Sequence, residues 1–298
     1  MYRAISSIDF NPKYILKECI IGTAWAVLIM GVIGFFTLWS FKWVNPTSTA
    51  FTHSTNWDEV GQEPYSLESY WVPTQDIPEH LKWAVVASED QRYWEHNGID
   101  LEAIGKAIQE MENGERVRGA STITQQLVKN LFLSSNKTYF RKGVEAGLAL
   151  TVEKLWSKER ILELYLNVVE FGPGVYGVGK ASEYFFAKEA LELKADEAAR
   201  LAAVLPNPKR MRVNPPSPYV VERKDWILRN MMNLSGIAYV QKKPPKPVFS
   251  DTTYQHIEED TTTSDFEITY LPKAKFKPFN LTTSEGQDST KKDSVSTY

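Results

Sequence analysis

The chain has 298 residues, 43% of them hydrophobic and 24% charged; this is enough to bury a core in one large domain or two small ones, and it excludes a chain that is disordered throughout. Lys and Arg number 34 against 37 Asp and Glu, a formal net charge of -3, so a strongly basic nucleic-acid-binding domain is excluded and any basic site must be local. A single cysteine, Cys19, and four scattered histidines exclude a disulfide framework and a Cys- or His-built metal centre, leaving carboxylates as candidate ligands for Mg²⁺ or Mn²⁺.

Residues 1–18 form a polar N-terminal segment, and 19–41, CIIGTAWAVLIMGVIGFFTLWSF, carry no charge between Glu18 and Lys42. At about 1.5 Å per helical residue this run crosses a bilayer core of roughly 30 Å, and it is longer than the ~7–15 residue core of a cleaved signal peptide. Trp39 and Trp43 fall where an interfacial aromatic belt would lie. Arg3, Lys13 and Lys17 precede the run while only Lys42 closely follows it, which predicts a cytoplasmic N-terminus and an extracytoplasmic remainder. Residues 42–64, rich in Ser, Thr and Trp, read as a linker. The folded part, 65–236, shows helical periodicity over 79–90, 101–113, 121–133, 139–156, 158–168, 177–186, 196–205 and 218–232, with few competing β runs, and so predicts a mainly α domain. After Gly236 the composition turns to Thr, Ser, Lys, Pro and acids, so 237–298 reads as an unpacked tail. The alternation of Phe266, Ile268 and Tyr270 leaves a short edge-seeking strand open there.

Three polar clusters interrupt the helical pattern. In SEDQRYWEHNG, Glu89 follows the apolar face Leu81, Val85 and Val86, where desolvation raises a carboxyl toward the range of a general base; a solvated helix end is the plainer alternative. In RGASTITQQLVKN, Ser121 or Thr122 can cap a helix, while consecutive amides Gln125 and Gln126 suit hydrogen bonds to a sugar. In KTYFRKGVE, Arg141 and Glu145 stand one turn apart: either an ordinary surface pair or, with Lys129, Lys137 and Lys142, a basic wall for a phosphate-bearing substrate.

Taken in order, EDQRYWEHNG, GASTITQQLVKN, RKGVEAGLALTVE, KERILELYLNVVEFGPGVYG and LAAVLPNPKRMRVNPPSP followed by RKDWILRNM resemble the successive motifs of the peptidoglycan glycosyltransferases, the family of the glycosyltransferase domain of class A penicillin-binding proteins. Single-domain, anchored members of that family, the monofunctional biosynthetic transglycosylases, are the most similar. The resemblance implies a lysozyme-like α-helical glycosyltransferase domain behind a single N-terminal transmembrane helix in the inner membrane, with the catalytic domain periplasmic. Its substrate would be lipid II, polymerised into glycan strands without transpeptidase activity, beside the cell-division or elongation machinery. Glu89 would be the general base and Glu145 the second essential acid, acting through a divalent cation (Mg²⁺ or Mn²⁺) or by orienting the basic residues. Lys129, Lys137, Arg141 and Lys142 would neutralise the diphosphate. Ser121, Thr122, Gln125, Gln126 and Asn130 would bind substrate oxygens. His96 is expected to bond within its own motif. Tyr93 stands where the family commonly has Phe, adding a hydroxyl that needs a partner if buried. The apolar residues Ile99, Leu101, Ile104, Ile108 and Met111 either pack inward or touch lipid. A hydrolytic muramidase or a silent scaffold are the competing classes; neither needs Glu89 and Glu145 together with Lys129 and Arg141.

Overall fold

A computed structural model describes residues 12–114, 119–133, 138–238 and 269–270; Lys137 and most of the 237–298 tail lie outside the described residues. Helix α1 (Pro12–Ser40) carries no charge after Glu18, and its Leu16–Ser40 stretch is long and apolar enough to cross a membrane; near its end Leu38 packs into the core. Its hydroxyls are satisfied within the helix, Thr23 Oγ1 donating to the Cys19 carbonyl at 2.8 Å and Thr37 Oγ1 to that of Ile33 at 2.9 Å, as an environment without water demands.

The segment expected as a linker is built into the domain. Residues Thr49 and Thr52 form a buried capping box at α2 (Ala50–Ser54), and α3 (Trp57–Val60) follows. The hydroxyl-rich composition that suggested a linker thus serves to cap short helices, while Phe51 and Trp57 pack against the core. Arg160 holds the exit of α1: Nε donates to the Phe41 carbonyl at 3.0 Å, and Nη2 to the Val44 carbonyl at 3.0 Å and Asn45 Oδ1 at 2.9 Å. Trp156 Nε1 donates to the Leu38 carbonyl at 2.8 Å, and Phe41 stacks on Phe132.

The remaining helices are α4 (Glu79–Glu89), α5 (Leu101–Glu112), α6 (Ile123–Phe132), α7 (Tyr139–Leu155) and α8 (Lys158–Val168). A short antiparallel hairpin, β1 (Glu170–Gly172) with β2 (Val175–Tyr176), leads to α9 (Val178–Phe186), α10 (Ala195–Val204) and α11 (Pro218–Ser235). Helices α4, α10 and α11 pack against one another, and α6 packs on α7 and α8. Close approach of α4 and α10 follows from their small facing side chains: Ala84, Ala87, Ala198, Ala199, Ala202 and Ala203 are fully buried. Leu81, Val85, Leu127, Ile161, Leu164 and Leu166 complete the core, each contributing roughly 1.5–3 kcal/mol by leaving water. Helix α5 differs. Asp100 caps it, accepting from the amides of Glu102 at 3.0 Å and Ala103 at 2.9 Å, yet none of its residues is buried, and Leu101, Ile108 and Met111 are exposed. The apolar residues left open by the sequence therefore face outward at those three positions. At the far end, β3 (Ile237–Ala238) pairs antiparallel with β4 (Thr269–Tyr270), so Tyr270 of the alternating stretch belongs to a strand.

Candidate active site

Helix α4 ends at Glu89 because Asp90 takes an extended φ of -159° and turns its carboxylate to other work. Asp90 accepts the Ile123 amide at 3.0 Å and contacts His96 Nε2 at 2.9 and 3.0 Å. His96 Nδ1 accepts the Gly98 amide at 3.2 Å, which leaves Nε2 as the protonated nitrogen facing Asp90. Thr122 Oγ1 donates to the Gly98 carbonyl at 2.6 Å. These bonds tie the end of α4, the 90–98 loop and the start of α6 into one unit, and His96 bonds within its motif as expected. Gly98 sits at φ +88°, where a Cβ would lie 2.9 Å from the Ala149 carbonyl oxygen and 2.8 Å from Glu153 Cγ, so only glycine fits without strain. The Tyr93 hydroxyl does find a partner: the ring is fully buried and its O–H donates to the Lys158 carbonyl at 2.6 Å.

Glu89 is held by two side-chain donors. Gln126 Nε2 donates to its Oε2 at 2.9 Å, and Ser88 Oγ to its Oε1 at 3.1 Å. The Gln126 amide is fixed in that orientation by the Tyr165 hydroxyl, which donates to its Oε1 at 2.9 Å. Burial raises the Glu89 pKa above the ordinary carboxylate range, opposed by these two hydrogen bonds and by the charges of Arg223 and Lys129. Glu89 also lines a cleft of about 260 Å³, together with Arg92 and Asp100 from the loop, Lys106 from α5, and Ser121.

Glu145 stands on the buried stripe of α7 with Ala149 and Val152, and is 3% exposed. Arg141 Nη1 donates to its Oε2 at 2.9 Å and Lys142 Nζ bonds its Oε1. Lys142 Nζ also donates to Ser121 Oγ at 3.0 Å, which joins this nest to the rim of the cleft. Lys129 is partly buried, and burial lowers its pKa; Glu145 and Glu89 both oppose that shift, while Arg141 and Lys142 add to it. One ammonium thus feels both carboxylates. Three cations face a single buried carboxylate here, a local surplus of two positive charges, and Arg141 Nε is buried without a hydrogen-bond partner. An anion with several oxygens suits that arrangement.

Two of the expected substrate-binding residues also serve the fold. Thr122 and Gln125 are buried and form the capping box of α6, the Thr122 amide donating to Gln125 Oε1 and the Gln125 amide to Thr122 Oγ1, both at 3.1 Å. Asn130 is also buried. Lys137 lies outside the described residues. Both carboxylate oxygens of Glu145, the expected ligand of a divalent cation, are engaged by cationic donors, and among the described residues no group of three His, Cys, Asp or Glu is placed to hold a metal. Sequence reasoning missed Tyr165, Ser88 and Arg223, whose long-range pairings carry no signal in sequence spacing. It also missed Glu153, which accepts from Thr124 Oγ1 at 2.6 Å and Lys158 Nζ at 2.8 Å behind the 90–98 loop.

The sequence pattern of the Transglycosylase family matches residues 57–232, from α3 to the last turns of α11. Over 167 residues the chain is 53% identical to the biosynthetic peptidoglycan transglycosylase of Aeromonas hydrophila, covering 56% of this chain and 71% of that one. It is 46% identical over 205 residues to the protein of that name from Pseudomonas putida, covering 68% and 86%, and 44% identical over 211 residues to that of a Marinomonas species, covering 71% and 89%. With the half-buried Glu89, the cationic nest at Glu145 and an apolar helix ahead of them, the chain belongs to the transglycosylase family and is a peptidoglycan glycosyltransferase.

Proposed function

We propose that the chain polymerises lipid II, the undecaprenyl-diphosphate disaccharide-pentapeptide, into β-1,4-linked glycan, inverting the anomeric carbon, and that it does not cross-link peptide stems. The observation that carries this reading is the pairing of a half-buried Glu89, its pKa raised by desolvation, with a nest of surplus positive charge, joined through Lys129. Glu89 takes the proton of the acceptor 4-hydroxyl as that oxygen bonds the donor's anomeric carbon. On the opposite face the bond from the same carbon to phosphate oxygen breaks, and the electron pair leaves with undecaprenyl diphosphate. Lys129, Arg141 and Lys142 stabilise that charge, with Glu145 holding the last two in place.

The topology proposed is a cytoplasmic N-terminus, α1 in the inner membrane and the catalytic domain on the periplasmic side, next to the cell-division or elongation machinery. Exposed Leu101, Ile108 and Met111 of α5, with Tyr139 and Phe140 at the start of α7, then meet the lipid from which the substrate is drawn. Detergent-solubilised protein incubated with fluorescent lipid II tests the reading by gel. A ladder of glycan products is expected. Lipid II returned unchanged would favour a silent scaffold, and cleavage of preformed glycan a hydrolase.

A further inference from the structure

Glu89 sits at the C-terminal end of α4, and the mechanism accounts for what lies on its cleft side. It does not account for what lies beneath it. Arg223, on the second turn of α11, donates from Nη2 to the Ser88 carbonyl at 3.1 Å. That carbonyl belongs to the peptide bond joining Ser88 to Glu89. The guanidinium lies 4.1 Å from the centre of the Trp226 ring, which fixes its plane, and its Nε is buried with no hydrogen-bond partner. A buried donor left without an acceptor carries a desolvation cost, so the fold retains a strained cation directly behind the base.

Ser88 shows the second feature. Its hydroxyl has one proton and two acceptors, both at 3.1 Å: Glu89 Oε1 and the Ala202 carbonyl of α10. When Glu89 is ionised, the proton serves the carboxylate. When Glu89 has taken the acceptor's proton, the Ser88 proton can turn to Ala202 and leave its oxygen free to accept from the new carboxylic O–H.

Resting on the reading of Glu89 as the base, we infer that Arg223 and Ser88 are positioning residues for it: Arg223 fixes the Ser88–Glu89 peptide and sets a positive charge under the carboxylate, and the Ser88 hydroxyl changes acceptor as the proton arrives and departs. The charged and titratable groups facing Glu89 are Arg223 from α11, Lys129 from α6 and Tyr165 from α8, with Asp90 next in the chain. Helix α10 contributes the Ala202 carbonyl. Lys129 also faces the diphosphate nest; Arg223 is the cation that acts on the base from behind.

The test is the pH profile of kcat/KM for lipid II turnover, measured on the full chain for the parent, Arg223→Gln, Arg223→Lys, Ser88→Ala and Ser88→Thr, with thermal melts to establish folding. In the parent the acid limb reports Glu89. Loss of a neighbouring positive charge moves that limb to higher pH, by about one unit for Arg223→Gln; at a pH below the limb this reads as a roughly tenfold loss that shrinks as pH rises. Arg223→Lys keeps the charge and should leave the limb near the parent's. Ser88→Ala should also move it upward, and Ser88→Thr, which keeps a hydroxyl, should restore it. These two carry the test if Arg223→Gln does not melt cooperatively. Limbs that coincide in all folded variants, with activity lost evenly across pH, would reduce both residues to structural supports and overturn the inference while leaving Glu89 as the base. A parent profile with no acid limb would instead remove the base reading, and this inference with it.

Discussion

Glu89 has to be ionised to accept a proton and hydrophobic enough in its surroundings to hold one, and the surrounding side chains divide these demands. Burial favours the neutral form, while Gln126, Ser88, Arg223 and Lys129 favour the anion. The balance has a consequence for stability. A carboxyl whose folded pKa is raised above its unfolded value binds more protons in the folded state between the two, so stability falls as pH rises through that window and stays lower above it. Glu89→Gln removes the charge, and we expect this variant to melt above the parent at neutral pH and to lose that advantage below about pH 4, near the unfolded value. Circular dichroism melts at the two pH values check this; a variant melting below the parent at neutral pH would contradict the burial argument. Tyr165 acts one step removed. Without its hydroxyl, the Gln126 Oε1 loses its donor, so Tyr165→Phe should cost about 1–3 kcal/mol of stability and lower kcat more than it raises KM, measured by denaturant unfolding and steady-state turnover.

At the scale of elements, the site depends on three segments meeting: the end of α4, the start of α6 and the first turns of α7. Gly98 lets the first two close against α7, since its would-be Cβ falls on Ala149 and Glu153. Gly98→Ala should therefore destabilise the fold by about 1–3 kcal/mol, read as a lower denaturant midpoint; an unchanged midpoint would show that α7 yields without cost. Much of this level was legible in the sequence. The helices were legible because their apolar residues recur at helical spacing; Glu145 was singled out only through the family resemblance, its spacing from Arg141 fitting an ordinary surface pair equally well, and the structure places it on the buried stripe with Ala149 and Val152. The anchor was legible because nothing in 19–41 is charged. Thr122 was legible as a cap and Gln125 was read only for substrate, because a capping box and a sugar site ask for the same side chains; the helix start shows the capping role of both. The segment 42–64 was misread as a linker because its helices are too short to show a period. Tyr165 and Arg223 could not be read at all: Arg223 meets the Ser88 carbonyl across 135 positions, and Tyr165 meets Gln126 across 39, distances over which spacing carries no information.

At the scale of the whole molecule, the anchor and the catalytic domain are joined as one piece. Arg160 makes three hydrogen bonds to the exit of α1, and α2 carries Phe51 against Lys129, whose ammonium lies 5.6 Å from the ring centre. The apolar helix α1 thus connects to the cationic nest through one short helix. Arg160→Ala should free the 41–45 segment, speeding limited proteolysis between anchor and domain while the domain's own melting changes little; cleavage at the parental rate would show that Trp156 and Phe41 suffice to hold the joint. The central claim, that Glu89 removes the acceptor's proton, is tested most directly by the rate of undecaprenyl diphosphate release from lipid II, comparing the parent with Glu89→Gln at one pH on protein of matched circular dichroism. The account predicts a loss of about 10²–10⁴-fold; release by Glu89→Gln at the parental rate would contradict it.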